Sequence, residues 1–158
     1  MVSASVIIPT YNGEKTIRDC LNYVLAQDFA DKEVIVIDSS TDSTPQIIKK
    51  EFPAVRLYQF DERKSCGEAK NIGVNKSKGE YIFFLDDDKI VDKGWISSVL
   101  EIFDKQNDIE GLCGSIEIYS EATTIEKIDH LLHYYNWLPC RKRLENATHL
   151  LGGTSVYK

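Results

Sequence analysis

The stretch Glu80-Tyr81-Ile82-Phe83-Phe84-Leu85-Asp86-Asp87-Asp88 constrains the fold more than any other part of the chain. Its continuous apolar run, rich in aromatic and β-branched residues, predicts a strand buried on both faces at the centre of a parallel sheet. Gly79 just before it is the expected stop of a preceding helix. The three carboxylates then sit where the strand leaves the sheet, the carboxyl edge at which open α/β sheets bind ligands. Three adjacent carboxylates repel one another by roughly 1–4 kcal/mol per close pair. A solvated turn tolerates that repulsion, and a bound cation offsets it. Most acidic runs are surface turns, but placement after a buried strand favours a divalent metal site.

At 158 residues the chain has room for one domain with a real core, and not for two ordinary ones. The net charge of −6 argues against a nucleic-acid-binding surface, which would be basic. No stretch approaches the roughly 18 apolar residues of a membrane span. Met1-Val2-Ser3 leads directly into a strand, so no signal peptide is expected. Cys20, Cys66, Cys113 and Cys140 are scattered without metal-ligand spacing, and a reduced cytoplasmic protein with unpaired thiols is expected.

Along the chain, Ser5 to Pro9 predicts a first short buried strand, with Thr10-Tyr11-Asn12-Gly13 as its exit loop. Ile17, Cys20, Leu21, Val24 and Leu25 then recur on one face of an amphipathic helix. Glu33 to Asp38 predicts a second buried strand, followed by a polar turn and a helix with Thr44 as N-cap and Pro45 at its first position. Ile47, Ile48 and Phe52 supply the apolar side of that helix. Val55 to Phe60 has the mixed faces of an edge strand. Gly67 to Ser77 predicts a helix with Ala69, Ile72 and Gly73 inward. Past the central strand, a helix from about Asp92 to Lys105 would bury Trp95, Ile96, Val99, Leu100 and Phe103. The alternation from Leu112 to Ile118 predicts a half-buried strand. A helix is expected from Ile125 to Leu138 and a strand-like tail after Gly152-Gly153. Strands alternating with helices mean right-handed crossovers and a parallel sheet through the fourth strand.

Three loops leave the same edge of such a sheet: Thr10 to Glu14, Asp38 to Asp42, and Asp86 to Asp88. If strand order reverses between the first and fourth strands, the first and third loops face each other across a switch-point crevice. An aromatic ring (Tyr11), a carboxylate (Asp38), hydroxyls (Thr10, Ser39, Ser40) and a cation site are the parts a nucleotide-diphosphate needs. Alone, Tyr11 reads as a loop aromatic and Asp38 as a turn cap; their conjunction points to a ligand.

The segments SVIIPTYNGEKTI, EVIVIDSSTDST, GEAKNIGVNKSKGEYIFFLDDD and LLGGTSVYK resemble the family 2 glycosyltransferases of the GT-A fold, in order and spacing. The resemblance runs from Ser5 to about Asp104 and returns at Leu151. It implies an α/β, Rossmann-like domain that holds a nucleotide-diphospho-sugar, with Mn²⁺ or Mg²⁺ on the diphosphate. The parent reaction it implies is an inverting transfer to an acceptor hydroxyl on a glycan or lipid-linked glycan. Residues 1–104 would form the nucleotide-sugar half of a single domain, and residues 105–158 the start of an acceptor-side half. Thr10, Tyr11 and Asp38 match nucleoside-pocket positions, and Pro9, Asn12, Glu14 and Ser39 lie in the same donor loops. Lys70, on the first turn of its helix, matches a basic position near the diphosphate. The triple Asp matches the DxD motif. Asp88 is the candidate for direct metal contact, with Asp86 beside it, and Asp86 and Asp87 would face the ribose or the metal's water shell.

Two departures stand out. Many relatives carry a second Asp where this chain has Ser39, so the base preference is open, with UDP or dTDP expected before GDP. The family's general base lies in an acidic pair downstream of the Gly-Gly segment, and no Asp or Glu follows Glu145 here. The base is therefore expected beyond Lys158, in a longer protein; within the chain, Glu117, Glu121 and Glu145 are the places to look. That same feature favours a rival reading, a donor-binding or regulatory module without transfer activity. A nicotinamide-dependent dehydrogenase is disfavoured because Pro9-Thr10-Tyr11-Asn12-Gly13 lacks the G-x-G-x-x-G turn. A receiver domain is disfavoured because its acids would follow the first and third strands. His130, His133 and His149 have no metal spacing. Tyr134, Tyr135 and Trp137 read as a core stripe first, and as an acceptor or membrane-surface contact beside Arg141-Lys142-Arg143 second. Apolar surface near Ile125 to Trp137 is expected to be exposed, which would favour a homodimer.

Overall fold

The computed structural model describes residues 3–106, 108–115, 117–118, 122–134 and 153–158. Among these residues the chain alternates strands and helices: β1 (Ala4–Thr10), α1 (Ile17–Leu25), β2 (Lys32–Asp38), α2 (Thr44–Glu51), β3 (Arg56–Gln59) and α3 (Cys66–Lys76). There follow β4 (Tyr81–Phe84), α4 (Trp95–Lys105), β5 (Gly111–Cys113), α5 (Thr124–Tyr134) and β6 (Ser155–Tyr157). The strands form one six-stranded sheet in the order β3-β2-β1-β4-β6-β5. β1 to β4 are parallel, β6 runs antiparallel to β4, and β5 runs antiparallel to β6. The reversal between the first and fourth strands is therefore present, and β3 lies at an edge as its mixed faces predict.

Side-chain alternation assigns the two faces. Val6 and Ile8 of β1, Val34 and Val36 of β2, and Phe83 and Leu85 at β4 share one buried cluster with α1, α2 and α4. On the other face α3 lies over Ile35 and Ile37 through Ala69, with Ile72 half-buried beside them. α3 approaches closely because a Cβ on Gly73 would stand 2.3 Å from Ile7 Cγ2. Ser65 caps this helix: its hydroxyl accepts from the Glu68 N–H at 3.3 Å, while Glu68 Oε2 accepts from the Ser65 N–H at 2.9 Å.

Several local expectations are corrected. β4 is not buried on both faces: Phe83 and Leu85 are, whereas Ile82 and Phe84 are half-buried because the α3 layer covers them thinly. Gly79 does not stop α3 in a left-handed turn, since no glycine among the described residues has positive φ. Ser77 ends that helix, its hydroxyl donating to the Val74 carbonyl at 2.7 Å. A Cβ on Gly79 would instead sit 2.6 Å from Ser5 N, so the glycine permits a close backbone approach. Thr44 lies inside α2, with Ser43 at the N-cap; the Asp42 carboxylate accepts from both the Thr44 N–H and its hydroxyl and closes the turn. α4 starts at Trp95, and it buries Ile96 and Phe103 fully while Trp95, Val99 and Leu100 stay half-buried. The strand expected to Ile118 stops at Cys113, and α3 begins at Cys66, which places Lys70 on its second turn.

Ile125, Ile128 and Leu132 of α5 are exposed, as expected for that stretch. Cys20, Cys66 and Cys113 are free thiols. Tyr135, Trp137, Cys140, Arg141 to Arg143, Glu145, His149, Glu121 and Ile116 lie outside the described residues. Among the described residues no helix is long and apolar enough to cross a membrane.

Candidate functional site

The site follows from strand register. Thr10 pairs with Asp38 at the carboxyl ends of β1 and β2, whereas β4 pairs with β1 only as far as Ile7 opposite Phe84. The next residues therefore leave the ladder while still running beside β1, and the Leu85 N–H donates to the Ile7 carbonyl at 3.1 Å. This delivers Asp87 to Thr10, whose hydroxyl donates to Asp87 Oδ2. Gly13 leaves room for this contact, because a Cβ there would stand 2.3 Å from Asp87 Oδ2 and 2.7 Å from Thr10 Oγ1 and displace one of them. The tail closes the same spot from the other side: the Asp86 N–H donates to the Gly153 carbonyl at 3.1 Å, and a Cβ on Gly153 would meet Asp86 Oδ2 at 2.4 Å.

A cleft of about 700 Å³ opens at this edge. Of the sequence candidates, Pro9, Thr10, Tyr11, Ser39 and the three aspartates line it. Its remaining wall is the loop before α3 and the first turns of that helix, from Arg63 to Ala69. This wall is missing from the sequence reading, although the S-x-x-E capping signature at Ser65–Glu68 and the basic pair Arg63-Lys64 mark it. Lys70 stands just behind, its Nζ 3.7 Å from Asp86 Oδ1.

Asn12 and Glu14 do different work. Asn12 has a left-handed backbone (φ 58°), its N–H donates to Ser40 Oγ at 2.8 Å, and its side-chain carbonyl accepts from the Thr41 N–H at 2.9 Å. The Glu14 N–H donates to Asp42 Oδ2 at 3.3 Å, and Glu14 Oε2 accepts from the Ser43 N–H at 3.4 Å. Both tie the first loop to the second. Asp38 lies beneath the cleft at 1% exposure; its Oδ1 accepts from the Ser40 N–H at 3.1 Å, and its Oδ2 has no hydrogen-bond partner among the described residues.

Electrostatics separates the acids. Burial pushes the Asp87 carboxyl above the usual range, with Asp88 and Asp86 adding to the rise and the Thr10 hydroxyl opposing it. Burial likewise raises Asp38, against the hydrogen bonds from Ser40. Beneath the acids, burial and then the three aspartates push the Cys20 thiol up, so it is a packed sulfur rather than a nucleophile. Asp88 is the more open of the two ion-paired aspartates, its side chain 54% exposed against 37% for Asp86, with Lys89 Nζ 3.0 Å away. Among the described residues no three His, Cys, Asp or Glu side chains assemble a metal cage. The donors present are hard oxygens on the cleft wall, which suits Mg²⁺ or Mn²⁺ shared with a phosphate ligand.

Comparison with known proteins agrees with this architecture. The chain is 30% identical over 122 residues to the glycosyltransferase GlyG of Streptococcus pneumoniae, covering 75% of this chain and 40% of that protein. It is 35% identical over 113 residues to the poly(ribitol-phosphate) beta-N-acetylglucosaminyltransferase TarS of Staphylococcus aureus, covering 68% of this chain and 20% of TarS. The chain thus spans less than half the length of these curated relatives. A crystal structure of S. aureus TarS in complex with UDP-GlcNAc superposes with a TM-score of 0.69 at 29% identity, over 77% of this chain and 36% of that one. The fold also matches mannosyltransferase PcManGT of Pyrobaculum calidifontis, with a TM-score of 0.74 at 21% identity over 98% of this chain and 44% of that one. Residues 5–158 match the model of the family Glycosyl transferase family 2, and the chain belongs to that family.

Proposed function

We propose that this chain supplies the donor side of an inverting, metal-dependent sugar transfer from a nucleotide-diphospho-sugar, UDP- or dTDP-linked, to an acceptor hydroxyl on a glycan or lipid-linked glycan. The observation that carries the reading is the convergence of Tyr11, Thr10 and the three aspartates in one cleft at the sheet's switch point. The TarS complexes with UDP and UDP-GlcNAc support a uridine donor. In this reading residues 1–104 form the donor half and residues 105–158 begin the acceptor side; cleft walls drawn from residues between Pro9 and Asp88 support the first assignment.

Each residue has a role in this reading. Tyr11 offers a ring, 39% exposed, for the base. Asp88 and Asp86 would hold Mn²⁺ or Mg²⁺, the usual one or two carboxylates alongside phosphate oxygens. When bound, the cation offsets charge developing on the leaving diphosphate. Lys70 adds a fixed positive charge beside Asp86. Thr10 holds Asp87 against the cleft wall, which keeps the acidic turn in one conformation.

Titration calorimetry with UDP tests the reading. Mn²⁺ or Mg²⁺ should strengthen binding, and Asp88→Asn should lose most of that gain. Equal affinity in chelator would overturn the metal assignment. Tighter binding of GDP than of UDP and dTDP would overturn the pyrimidine preference.

A further inference from the structure

We propose that Arg63 and Tyr11 are the two walls of a slot for the donor's base, and that Ser39 is the residue that positions the Arg63 wall. The Arg63 guanidinium carbon lies 4.2 Å from the centroid of the Tyr11 ring. The two residues come from different loops, β1–α1 and β3–α3, and meet across the mouth of the cleft. Both tips are exposed. The guanidinium therefore covers the ring face that a base would use.

The roots of these loops are fixed at one place. The Asn12 N–H donates to Ser40 Oγ at 2.8 Å, and the Lys64 N–H donates to Ser39 Oγ at 3.1 Å. Adjacent hydroxyls at the end of β2 thus anchor the residue after Tyr11 and the residue after Arg63. Ser39 is 5% exposed, so its hydroxyl is a buried anchor rather than a solvated one. Fixed roots and exposed tips make a slot that opens by rotation of one long side chain, a motion of picoseconds to nanoseconds. A planar guanidinium and an aromatic ring both stack on the face of a base, and Arg adds a cation–π attraction that Lys cannot match in shape. The free pair, stacked on itself, gives way to a ring–base–guanidinium sandwich when nucleotide binds.

This inference rests on the nucleotide-donor reading, and the test separates the two. Calorimetry is run at constant Mn²⁺ with UDP and with ribose 5-diphosphate, which keeps the diphosphate and lacks the base. Arg63→Ala should weaken UDP at least about fivefold, the lower end of what one stacking partner of a base contributes, and leave ribose 5-diphosphate unchanged. Arg63→Lys, which keeps the charge and loses the plane, should fall between. Ser39→Ala should weaken UDP alone by a smaller factor, and Ser39→Thr should restore it. Equal weakening of both ligands by Arg63→Ala would make Arg63 a diphosphate contact and overturn the slot, as would full UDP affinity in Arg63→Lys. Wild-type protein that binds ribose 5-diphosphate as tightly as UDP would overturn the slot and leave the donor reading standing. Wild-type protein that binds neither would overturn both.

Discussion

On one face of the sheet, α1, α2 and α4 cover Val6, Ile8, Val36, Phe83 and Leu85, and these side chains interlock in a continuous cluster. On the other, α3 lies over Ile35 and Ile37 with Ala69 and Gly73 as its fully buried contacts, and Ile82 and Phe84 remain half-buried. The cleft opens on this thinner side, walled by the loop and first turns of α3. Apolar burial stabilises in proportion to area, so most of the folding free energy belongs to the first face. The division leaves the helix that borders the cleft with only Ala69 and Gly73 buried and Ile72 half-buried against the sheet. Its position depends on close backbone approach and a capping box instead, and small shifts there change the cleft without unfolding the sheet.

The sharpest way to break this contrast is to cut a comparable side chain from each face. Ile8→Ala should fall toward the upper end of the about 2–5 kcal/mol that such truncations cost, and Ile35→Ala on the thinner face toward the lower end. Urea denaturation of both variants measures the difference, and equal losses would erase the asymmetry. A second variant separates position from stability. Gly73→Ala places a Cβ 2.3 Å from Ile7 Cγ2, and such overpacking costs about 1–3 kcal/mol. It should also weaken UDP binding, because α3 must move outward with the cleft wall it carries. Unchanged UDP affinity in the folded protein would show that the wall is held by its loop alone.

The smallest effect concerns the acids at the edge. Asp87, raised first by burial, binds its proton more tightly in the folded protein than in the unfolded chain. The folded state then holds more protons in the window between the two values, so this group's contribution to stability falls as pH rises through it. Asp87→Asn removes that penalty while its side-chain carbonyl still accepts from Thr10. Its melting temperature, compared with wild type, should gain most at the alkaline end of the range from about pH 4 to pH 8. A gain at the acid end instead would mean that the Thr10 hydrogen bond outweighs burial. The opposite sign is expected for Glu68 on the helix beside it, which the Ser65 hydroxyl holds below the usual range.

What the sequence determined by itself is the part written in local periodicity. Strand and helix alternation, the apolar faces of α1 and α2, and carboxylates at the end of β4 all follow from residue spacing, because side-chain pattern and backbone period must agree wherever a face is buried. The family motifs carried the same information to the loops at the carboxyl edge of the sheet. Tertiary structure decided what depends on register between distant segments. β6 inserts antiparallel between β4 and β5, so Gly153 reaches Asp86 from the far end of the chain. The early end of β4 pairing brings Asp87 to Thr10, and that offset is set by how the strands pack rather than by either strand's composition. Asn12, Glu14 and Asp38 were legible as loop residues, yet only their partners show two as ties between loops and the third as a carboxylate under the cleft. Arg63 was invisible as a wall because its meaning lies in the Tyr11 ring 4.2 Å away, a neighbour made by two crossovers and not by any spacing along the chain.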